Sequence, residues 1–335
     1  MPGALLEVRD LSVDYITDAG NVRAVDQVDL DLQPGEFLGV VGESGCGKST
    51  MVFAIAQLLF PPAEIAGGSV TFKGQDMVRL GDTELRHIRW RDYSVVMQSA
   101  MNALNPMKSI EAQFRDTMRA HGDMGTEEIR ERSAEVLRIV GIDPVHLRSY
   151  PHQLSGGMRQ RAMIAMALLF TPELVMMDEP TSALDVVAQR SLMSQVKQLQ
   201  ERLGFAVIFV THDMSVVARY SDRLLVMYAG QVAEVGPTRA MFESPPLHPY
   251  SRGLLDAFPS IHGPRRELIG IPGSPPDLGR PPSGCRFQPR CPVAMPPCSS
   301  VPPRLYPVRR SQVRCLLYDE AITEAAPERQ AAVKP

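Results

Sequence analysis

The chain has no apolar run long enough to cross a lipid bilayer. Its longest apolar stretches, such as residues 204–210, are far shorter than the roughly 20 residues that a membrane-spanning helix requires. The N-terminal residues also lack the basic and then apolar pattern of a secretory leader. Both absences predict a soluble protein, so any membrane path that it serves must be formed by separate subunits.

The sequence also lacks a strong excess of either charge. It carries 35 Lys and Arg residues against 38 Asp and Glu residues, which gives a net charge of -3. This balance gives no support to nucleic acid binding, which usually requires a basic surface. With 335 residues and 44% apolar content, the chain is large enough to bury a sizeable core and to carry an appendage.

Cysteine is nearly absent before the C-terminal segment. Residues 258–335 hold four of the five cysteines and 16 of the 29 prolines, so this segment is predicted to lack further sheet and helix of the same kind. The four cysteines follow the spacing C-x5-C-x6-C-x16-C, as Cys285, Cys291, Cys298 and Cys315. Reducing conditions favour metal ligation over disulfides, although this spacing is wider than the cysteine pairs of most zinc sites.

A glycine-rich loop lies between a predicted strand over residues 37–41 and a predicted helix over residues 49–60. The loop reads Gly42-Glu43-Ser44-Gly45-Cys46-Gly47-Lys48-Ser49-Thr50. Backbone N–H groups of such a loop surround phosphate oxygens, and the helix N-terminus adds positive potential. Lys48 is expected to reach the β- and γ-phosphates of a nucleotide, and Ser49 to offer its hydroxyl to Mg²⁺.

Two adjacent acids, Asp178 and Glu179, end an apolar run that begins at Leu174. The run predicts a buried parallel strand, and the carboxyl ends of such strands are where α/β proteins bind ligands. Asp178 is expected to hold Mg²⁺ through water, and Glu179 to polarise an attacking water molecule. The alternative is a solvated turn with no chemical role.

A second possible anion site opens a helix that is predicted to run to about Phe170. It consists of Ser155, Gly156 and Gly157. The plain alternative is a serine N-cap followed by two glycines. Two anion sites far apart in one chain are explained if the second serves the nucleotide of a neighbouring subunit.

The remaining pattern predicts an α/β fold. Residues 4–41 alternate apolar and polar side chains, as half-buried antiparallel strands do, whereas residues 99–153 show mainly helical spacing. Residues 172–236 alternate buried strands with helices, as the second half of a parallel sheet does.

In chain order, the chain has the glycine loop, then the helix start at Ser155, and then the two acids at 178 and 179. They resemble the Walker A, signature and Walker B segments, respectively, of the ATP-binding cassette (ABC) ATPases. The resemblance implies an α/β P-loop NTPase fold with a parallel sheet core, an antiparallel β subdomain and a helical subdomain. It places the nucleotide-binding domain at residues 4–245, with the helical subdomain at about 99–153. It also implies contacts to ATP from Gly42, Ser44, Gly45, Cys46, Gly47, Lys48, Ser49 and Thr50, and contacts from Ser155, Gly156 and Gly157 to the ATP of a partner.

Other residues resemble individual functional residues of this family. Tyr15 resembles the aromatic residue that stacks on adenine, and His212 resembles the switch histidine that contacts the γ-phosphate. Gln98 resembles the Q-loop glutamine that reaches Mg²⁺ and the attacking water, although Ser99-Ala100 replaces the acidic residue and proline that relatives often carry next. Residues 182–185 resemble the D-loop, which touches the opposite subunit.

The C-terminal segment resembles the extension of bacterial oligopeptide and dipeptide importer ATPases. The resemblance rests on His248-Pro249-Tyr250, on residues 273–278 and on the four cysteines. It assigns residues 246–320 to this extension, and residues 321–335 to a disordered tail. In family members with these cysteines the extension is associated with a [4Fe-4S] cluster, so the resemblance implies that the four thiols ligate one. Zinc, and unliganded or oxidised thiols, are the alternatives. Loss of one ligand is expected to leave nucleotide affinity nearly unchanged.

The resemblance implies an ATP-hydrolysing, energy-coupling subunit of a peptide importer at the cytoplasmic face of a bacterial membrane. Its expected partners are two transmembrane permease subunits, a second and paralogous ABC ATPase, and an extracytoplasmic solute-binding protein, without nucleic acid. Import of nickel or another small solute is the alternative. A non-transport ABC ATPase is disfavoured, because such proteins usually carry two cassettes or a long coiled-coil insertion.

Overall fold

The computed structural model describes residues 3–97, 104–181, 184–243, 247–257 and 270–323. The chain forms two compact units. The first unit comprises Met1–Leu6, Asp31–Phe37 and Thr71–Val210, and the second unit comprises Glu7–Leu30, Leu38–Val70 and Thr211–Pro335. Because the chain passes several times from one to the other, neither unit is a continuous stretch of sequence.

The strands, in chain order, are β1 (Leu6–Tyr15), β2 (Val22–Leu32), β3 (Phe37–Val41), β4 (Ala63–Phe72), β5 (Gln75–Asp76), β6 (Tyr93–Val96), β7 (Leu174–Asp178), β8 (Ala206–Val210), β9 (Arg223–Tyr228), β10 (Gln231–Pro237), β11 (Tyr306–Val308) and β12 (Ser311–Val313).

The helices are α1 (Lys48–Ile55), α2 (Asp82–Ile88), α3 (Ile110–His121), α4 (Thr126–Ile139), α5 (Gly156–Ala167), α6 (Val186–Leu203), α7 (Met214–Tyr220), α8 (Thr238–Glu243), α9 (Pro249–Asp256) and α10 (Glu320–Thr323). Across the described part of the chain, none of the helices combines the length and the apolar character that spanning a membrane would require.

The first unit contains three adjacent parallel strands, β6, β7 and β8. Every residue of β7 and β8 is buried. Strands of this kind are covered on both faces, which is why they read as uninterrupted apolar runs in the sequence. Asp178 lies opposite Val210 at the carboxyl end of the pair. The buried parallel strand that the sequence predicted before Asp178 is therefore confirmed.

Helices α3 and α4 pack against each other in the first unit. Ser109 starts α3, because its side-chain oxygen accepts a hydrogen bond from the backbone N–H of Ala112 at 3.2 Å. Ile110, Phe114 and Met118 are buried at a spacing of four residues, so they form the apolar stripe of this helix. Both helices lie within residues 99–153, where the sequence predicted mainly helical structure, while residues 99–103 lie outside the described part. The assignment of this range to a helical subdomain stays a prediction.

The second unit contains a mixed set of strands. β3 is parallel to β9, β9 is antiparallel to β10, and β10 is antiparallel to β12, which pairs with β11. The hairpin β11–β12 comes from the proline-rich segment, so the prediction that this segment adds no further sheet is wrong. Pro307 is tolerated in β11 because this strand stands at the end of the strand order, where a missing N–H costs little.

Strands β2, β1 and β4 are neighbours in that order. Val25, Val28 and Leu30 are buried along β2, as the alternation in the sequence predicted. β4 escaped the sequence analysis because Gly67 and Gly68 interrupt its pattern and most of its residues are only partly buried.

Two helices end earlier than the sequence predicted. α1 stops at Ile55 and not at residue 60, since Gln57 takes a left-handed conformation (φ 54°) and Pro61 follows. α5 stops at Ala167 and not near Phe170. Beyond its end, Arg132 donates hydrogen bonds to the carbonyl oxygens of Leu168 and Leu169 at 2.9 and 2.7 Å.

Candidate nucleotide-binding site

The glycine loop of the second unit has a backbone that only glycine can form. Gly42 and Gly47 have φ angles of 154° and 102°. A Cβ atom on Gly47 would lie 2.3 Å from the carbonyl oxygen of Ala24, and one on Gly42 would lie 2.2 Å from that of Met227. Neither neighbour is a flexible side chain, so the loop depends on glycine at both positions.

Lys48 directs its charge into this loop. Its side chain is buried, and its Nζ donates hydrogen bonds to the carbonyl oxygens of Gly42 and Glu43, both at 2.9 Å. Lys48 is also the first residue of α1, so the free N–H groups of the helix start next to the loop. The loop, the ammonium group and the helix N-terminus thus lie together, which is the arrangement that an anion site requires. The contacts of these residues to ATP stay predictions.

Cys46 is buried beside Lys48, with its Sγ 3.7 Å from the lysine Nζ. Burial raises the pKa of the Cys46 thiol, and the nearby ammonium group only partly opposes this. The thiol is therefore protonated.

Tyr15 and the His212 segment also belong to the second unit. Tyr15 ends β1, and its hydroxyl lies 3.2 Å from the hydroxyl of Thr50 in the loop. Thr211 donates its N–H to the carbonyl oxygen of Val40 at 3.1 Å, two residues before the loop begins. His212 is exposed at the next position. The stacking role of Tyr15 and the phosphate contact of His212 stay predictions.

The first unit holds the two predicted acids. Asp178 is buried at the last position of β7, and Glu179 is half-buried. The backbone N–H of Glu179 donates to the carbonyl oxygen of Val210 at 2.9 Å, and its φ of 44° is left-handed. Backbone strain of this kind costs of order 1–3 kcal/mol and is concentrated at functional sites.

The helix start at Ser155 also lies in the first unit. The Ser155 hydroxyl accepts from the N–H of Met158 at 3.3 Å, and a Cβ on Gly157 would meet no atom within 4 Å. No contact with the described residues therefore requires glycine at this position. Gln160, which the sequence analysis missed, donates from Nε2 to the carbonyl oxygen of Pro180 at 3.3 Å and so connects this helix to the residue after Glu179.

Some predicted residues are not described. Gln98, Ser182 and Ala183 lie outside the described residues, so their predicted roles stay predictions. Asp185 is described as the N-cap of α6, where its carboxylate accepts from the N–H of Ala188 at 2.8 Å.

The four C-terminal cysteines line one cavity of the second unit, together with His248 and Phe287. All are free thiols, with Cys298 and Cys315 buried. Burial raises the pKa of Cys291 to about 11 and of Cys315 to about 12. Across the described ranges, no group of three or more His, Cys, Asp or Glu side chains is arranged to hold a metal ion.

The C-terminal extension also contacts the glycine loop, which the sequence did not predict. Arg290 donates from both terminal nitrogens to the Glu43 carboxylate, at 2.7 and 2.9 Å. The hydroxyl of Tyr250 accepts from the N–H of Glu43 at 2.9 Å. Tyr250 belongs to the His248-Pro249-Tyr250 motif, on which the sequence analysis based only the resemblance of the extension to peptide importers.

Two family models match the chain. A model described as ABC transporter matches residues 25–182, which include the glycine loop and both acids. A model described as oligopeptide/dipeptide transporter, C-terminal region, matches residues 233–298, which include Tyr250, Arg290 and three of the four tail cysteines.

Curated relatives are similar over nearly the whole chain. The dipeptide transport ATP-binding protein DppD of Caldanaerobacter subterraneus is 41% identical over 319 residues, covering 94% of this chain and 98% of that protein. The oligopeptide transport ATP-binding protein OppD of Escherichia coli is 45% identical over 302 residues, covering 90% and 89%. DppD of Bacillus subtilis is 43% identical over 329 residues, covering 96% and 97%.

Solved structures of ABC cassettes share the fold. The dimeric structure of MJ0796, a bacterial ABC transporter cassette, is 31% identical, with a TM-score of 0.62 over 70% of this chain and 99% of that chain. A post-hydrolysis state of MJ0796 bound to ADP and Pi is 30% identical, with the same score and coverage. The α/β cassette fold that the motifs implied is confirmed.

The backbone contacts at Gly47 generate a prediction for Gly47→Ala. The new methyl group must displace the Ala24 carbonyl, so we expect the loop to shift and ATP affinity to fall by at least about tenfold, equivalent to ~1.4 kcal/mol. The measurement is titration with a fluorescent ATP analogue. Gly74→Ala is the matched control, because Gly74 also has positive φ (81°) but its Cβ would meet no atom within 4 Å. Equal affinity in the Gly47 and Gly74 variants would contradict the steric account.

Proposed function

Because the chain belongs to the ATP-binding subunits of oligopeptide and dipeptide ABC transporters, we propose that it binds and hydrolyses ATP to drive peptide import. One observation carries the proposal: the second unit combines a complete phosphate loop with an extension of the peptide-transporter type. The relatives that share both features are named as dipeptide and oligopeptide transport ATP-binding proteins.

Hydrolysis requires neutralisation of the charge that spreads over the transferred phosphoryl group. Lys48 and the loop N–H groups supply part of this positive potential, and Ser49, Asp178 and Gln98 would hold Mg²⁺, which supplies the rest when bound. Asp178 suits this role, since it is a buried carboxylate at a strand end.

Alignment of the attacking water falls to Glu179, His212 and Gln98. The left-handed backbone conformation of Glu179 sets the direction in which its side chain leaves the main chain. His212 is exposed and therefore accessible to a nucleotide. Such acid–base and orienting groups typically contribute ~10²- to 10⁴-fold to the rate.

A second cassette completes each ATP site. Ser155 is exposed and both glycines that follow it are partly exposed, and no contact among the described residues requires glycine at Gly157, which supports a role of this helix start toward the ATP of a partner. The MJ0796 cassette is described as dimeric. Closure of two cassettes on ATP and their separation after hydrolysis provide a two-state element able to drive transport.

The proposed assembly places this subunit at the cytoplasmic face of a bacterial membrane. It would join two transmembrane permease subunits, a second and paralogous ABC ATPase, and an extracytoplasmic binding protein that delivers the peptide. Nucleic acid has no place in this assembly, in keeping with the net charge of -3.

The four tail cysteines would ligate a [4Fe-4S] cluster. They line a single cavity, and cubane clusters are held by four cysteine thiolates. A zinc ion would instead gather its ligands about one centre at ~2.3 Å from each sulfur. No group of side chains among the described residues is arranged to hold a metal ion, so the proposal rests on the shared cavity and on the resemblance of the extension. The raised pKa values of Cys291 and Cys315 mean that ligation must release protons.

Catalysis is tested by Glu179→Gln and Lys48→Ala. Glu179→Gln should bind ATP normally and lose ~10²- to 10⁴-fold in hydrolysis rate, because only the water-orienting carboxylate is removed. Lys48→Ala should weaken ATP binding itself. Glu127→Gln is the control, since Glu127 is a 73% exposed carboxylate of the first unit. Near-normal turnover of Glu179→Gln in the assembled transporter would show that another residue orients the water.

The cluster proposal is tested on the full chain purified without oxygen. We expect a brown protein with broad visible absorption and about four irons per chain, as a cubane with four thiolate ligands requires. Cys298→Ser should lose the colour and the iron. A colourless protein with one zinc would favour the alternative, and protein with neither iron nor zinc would contradict metal binding at these thiols.

A further inference from the structure

We propose that Arg290 and Tyr250 are positioning residues of the ATP site, which hold Glu43 so that the phosphate loop is ordered before ATP arrives. The inference rests on the proposed function, because it assigns these residues to the same ATP site. Neither residue is part of the glycine loop, and both come from the C-terminal extension.

Arg290 is built into the molecule around Glu43. Its side chain is 6% exposed, and its two terminal nitrogens engage both carboxylate oxygens of Glu43. The remaining donors bond the carbonyl oxygens of Pro272 (2.7 Å) and Ile271 (3.4 Å) and the hydroxyl of Tyr228 (3.3 Å). A two-pronged guanidinium–carboxylate pair fixes orientation as well as distance, which lysine cannot reproduce.

Tyr250 holds the backbone of the same residue. It is completely buried, and its ring packs against Tyr228 at 4.5 Å and Phe287 at 5.4 Å between centroids. This packing leaves its hydroxyl in a fixed position, where it accepts the Glu43 N–H. Tyr250 therefore contacts the loop through its hydroxyl oxygen, which holds the backbone N–H of Glu43.

Glu43 is consequently fixed at three points. Tyr250 accepts from its N–H, Arg290 grips its carboxylate, and Lys48 donates to its carbonyl oxygen at 2.9 Å. Glu43 stands directly after Gly42 and within the segment expected to surround phosphate oxygens. Ordering this turn in advance removes part of the entropy that ATP binding would otherwise have to offset.

Arg290 and Tyr250 are each directly connected to a residue that lines the cysteine cavity. Arg290 directly precedes Cys291 in the 3₁₀ turn Gln288–Arg290. The N–H of Tyr250 donates to Nδ1 of His248 at 3.0 Å, and His248 lines the cavity. From the sequence alone, loss of one cysteine ligand in the extension was expected to leave nucleotide affinity nearly unchanged. The contacts at Glu43 argue against that independence.

The test is the Kd for ATP with Mg²⁺, measured by isothermal titration on the full chain in conservative variants. Arg290→Lys keeps the charge but loses the two-pronged geometry, and Tyr250→Phe removes only the hydroxyl. We expect each to raise the Kd about tenfold, equivalent to ~1.4 kcal/mol, with circular dichroism unchanged. Arg286→Lys is the matched control, since Arg286 is an arginine of the same extension whose side chain is only 10% exposed and which pairs with Asp26 at 2.7 Å and not with the loop.

A double-variant cycle separates positioning from general destabilisation. If Arg290 acts through Glu43, Glu43→Gln combined with Arg290→Lys should bind ATP no more weakly than the worse single variant. Unchanged Kd in Arg290→Lys or Tyr250→Phe, an equal loss in Arg286→Lys, or additive losses in the cycle would each overturn the inference. Failure of the unaltered chain to bind ATP would instead overturn the proposed function.

Discussion

The close backbone approach at Gly42 and Gly47 is the constraint on which the ATP site depends. The carbonyl oxygen of Met227 lies where a Cβ atom on Gly42 would stand, and that of Ala24 lies where a Cβ atom on Gly47 would stand. Backbone atoms therefore pack against the loop at both glycines. Within that frame Lys48 is buried with its ammonium group on the loop carbonyls. A buried ammonium group is costly unless it is well partnered, and a phosphate oxygen is the partner that best matches its charge.

The C-terminal extension takes part in this site and does more than follow it in sequence. Arg290 and Tyr250 reach Glu43, and β12 adds to the edge of β10. The extension therefore has little regular structure and is nevertheless bonded directly to the glycine loop.

Sequence predicted well those parts of the fold whose signals are local. The strand Leu174–Asp178 was recognised because complete burial leaves an uninterrupted apolar run. The end of α1 was missed, since the left-handed turn at Gln57 has no glycine to mark it. The hairpin β11–β12 was hidden by Pro307, which is acceptable only because of the place of β11 in the strand order.

The candidate site likewise has a part with local sequence signals and a part without them. The phosphate loop and the acids at 178 and 179 carry their chemistry in contiguous motifs, so their positions followed from the sequence. The Glu43–Arg290 pair joins residues 247 positions apart, and neither residue type is unusual where it stands. Only the folded chain brings the two together.

The central claim, ATP hydrolysis coupled to peptide import, is tested most directly in proteoliposomes that contain the complete transporter. The rate of ATP hydrolysis would be measured with the extracytoplasmic binding protein either empty or loaded with peptide. The account predicts that peptide-loaded binding protein stimulates hydrolysis and that the peptide accumulates in the lumen. Stimulation by nickel or another small solute, with no response to any peptide, would contradict it.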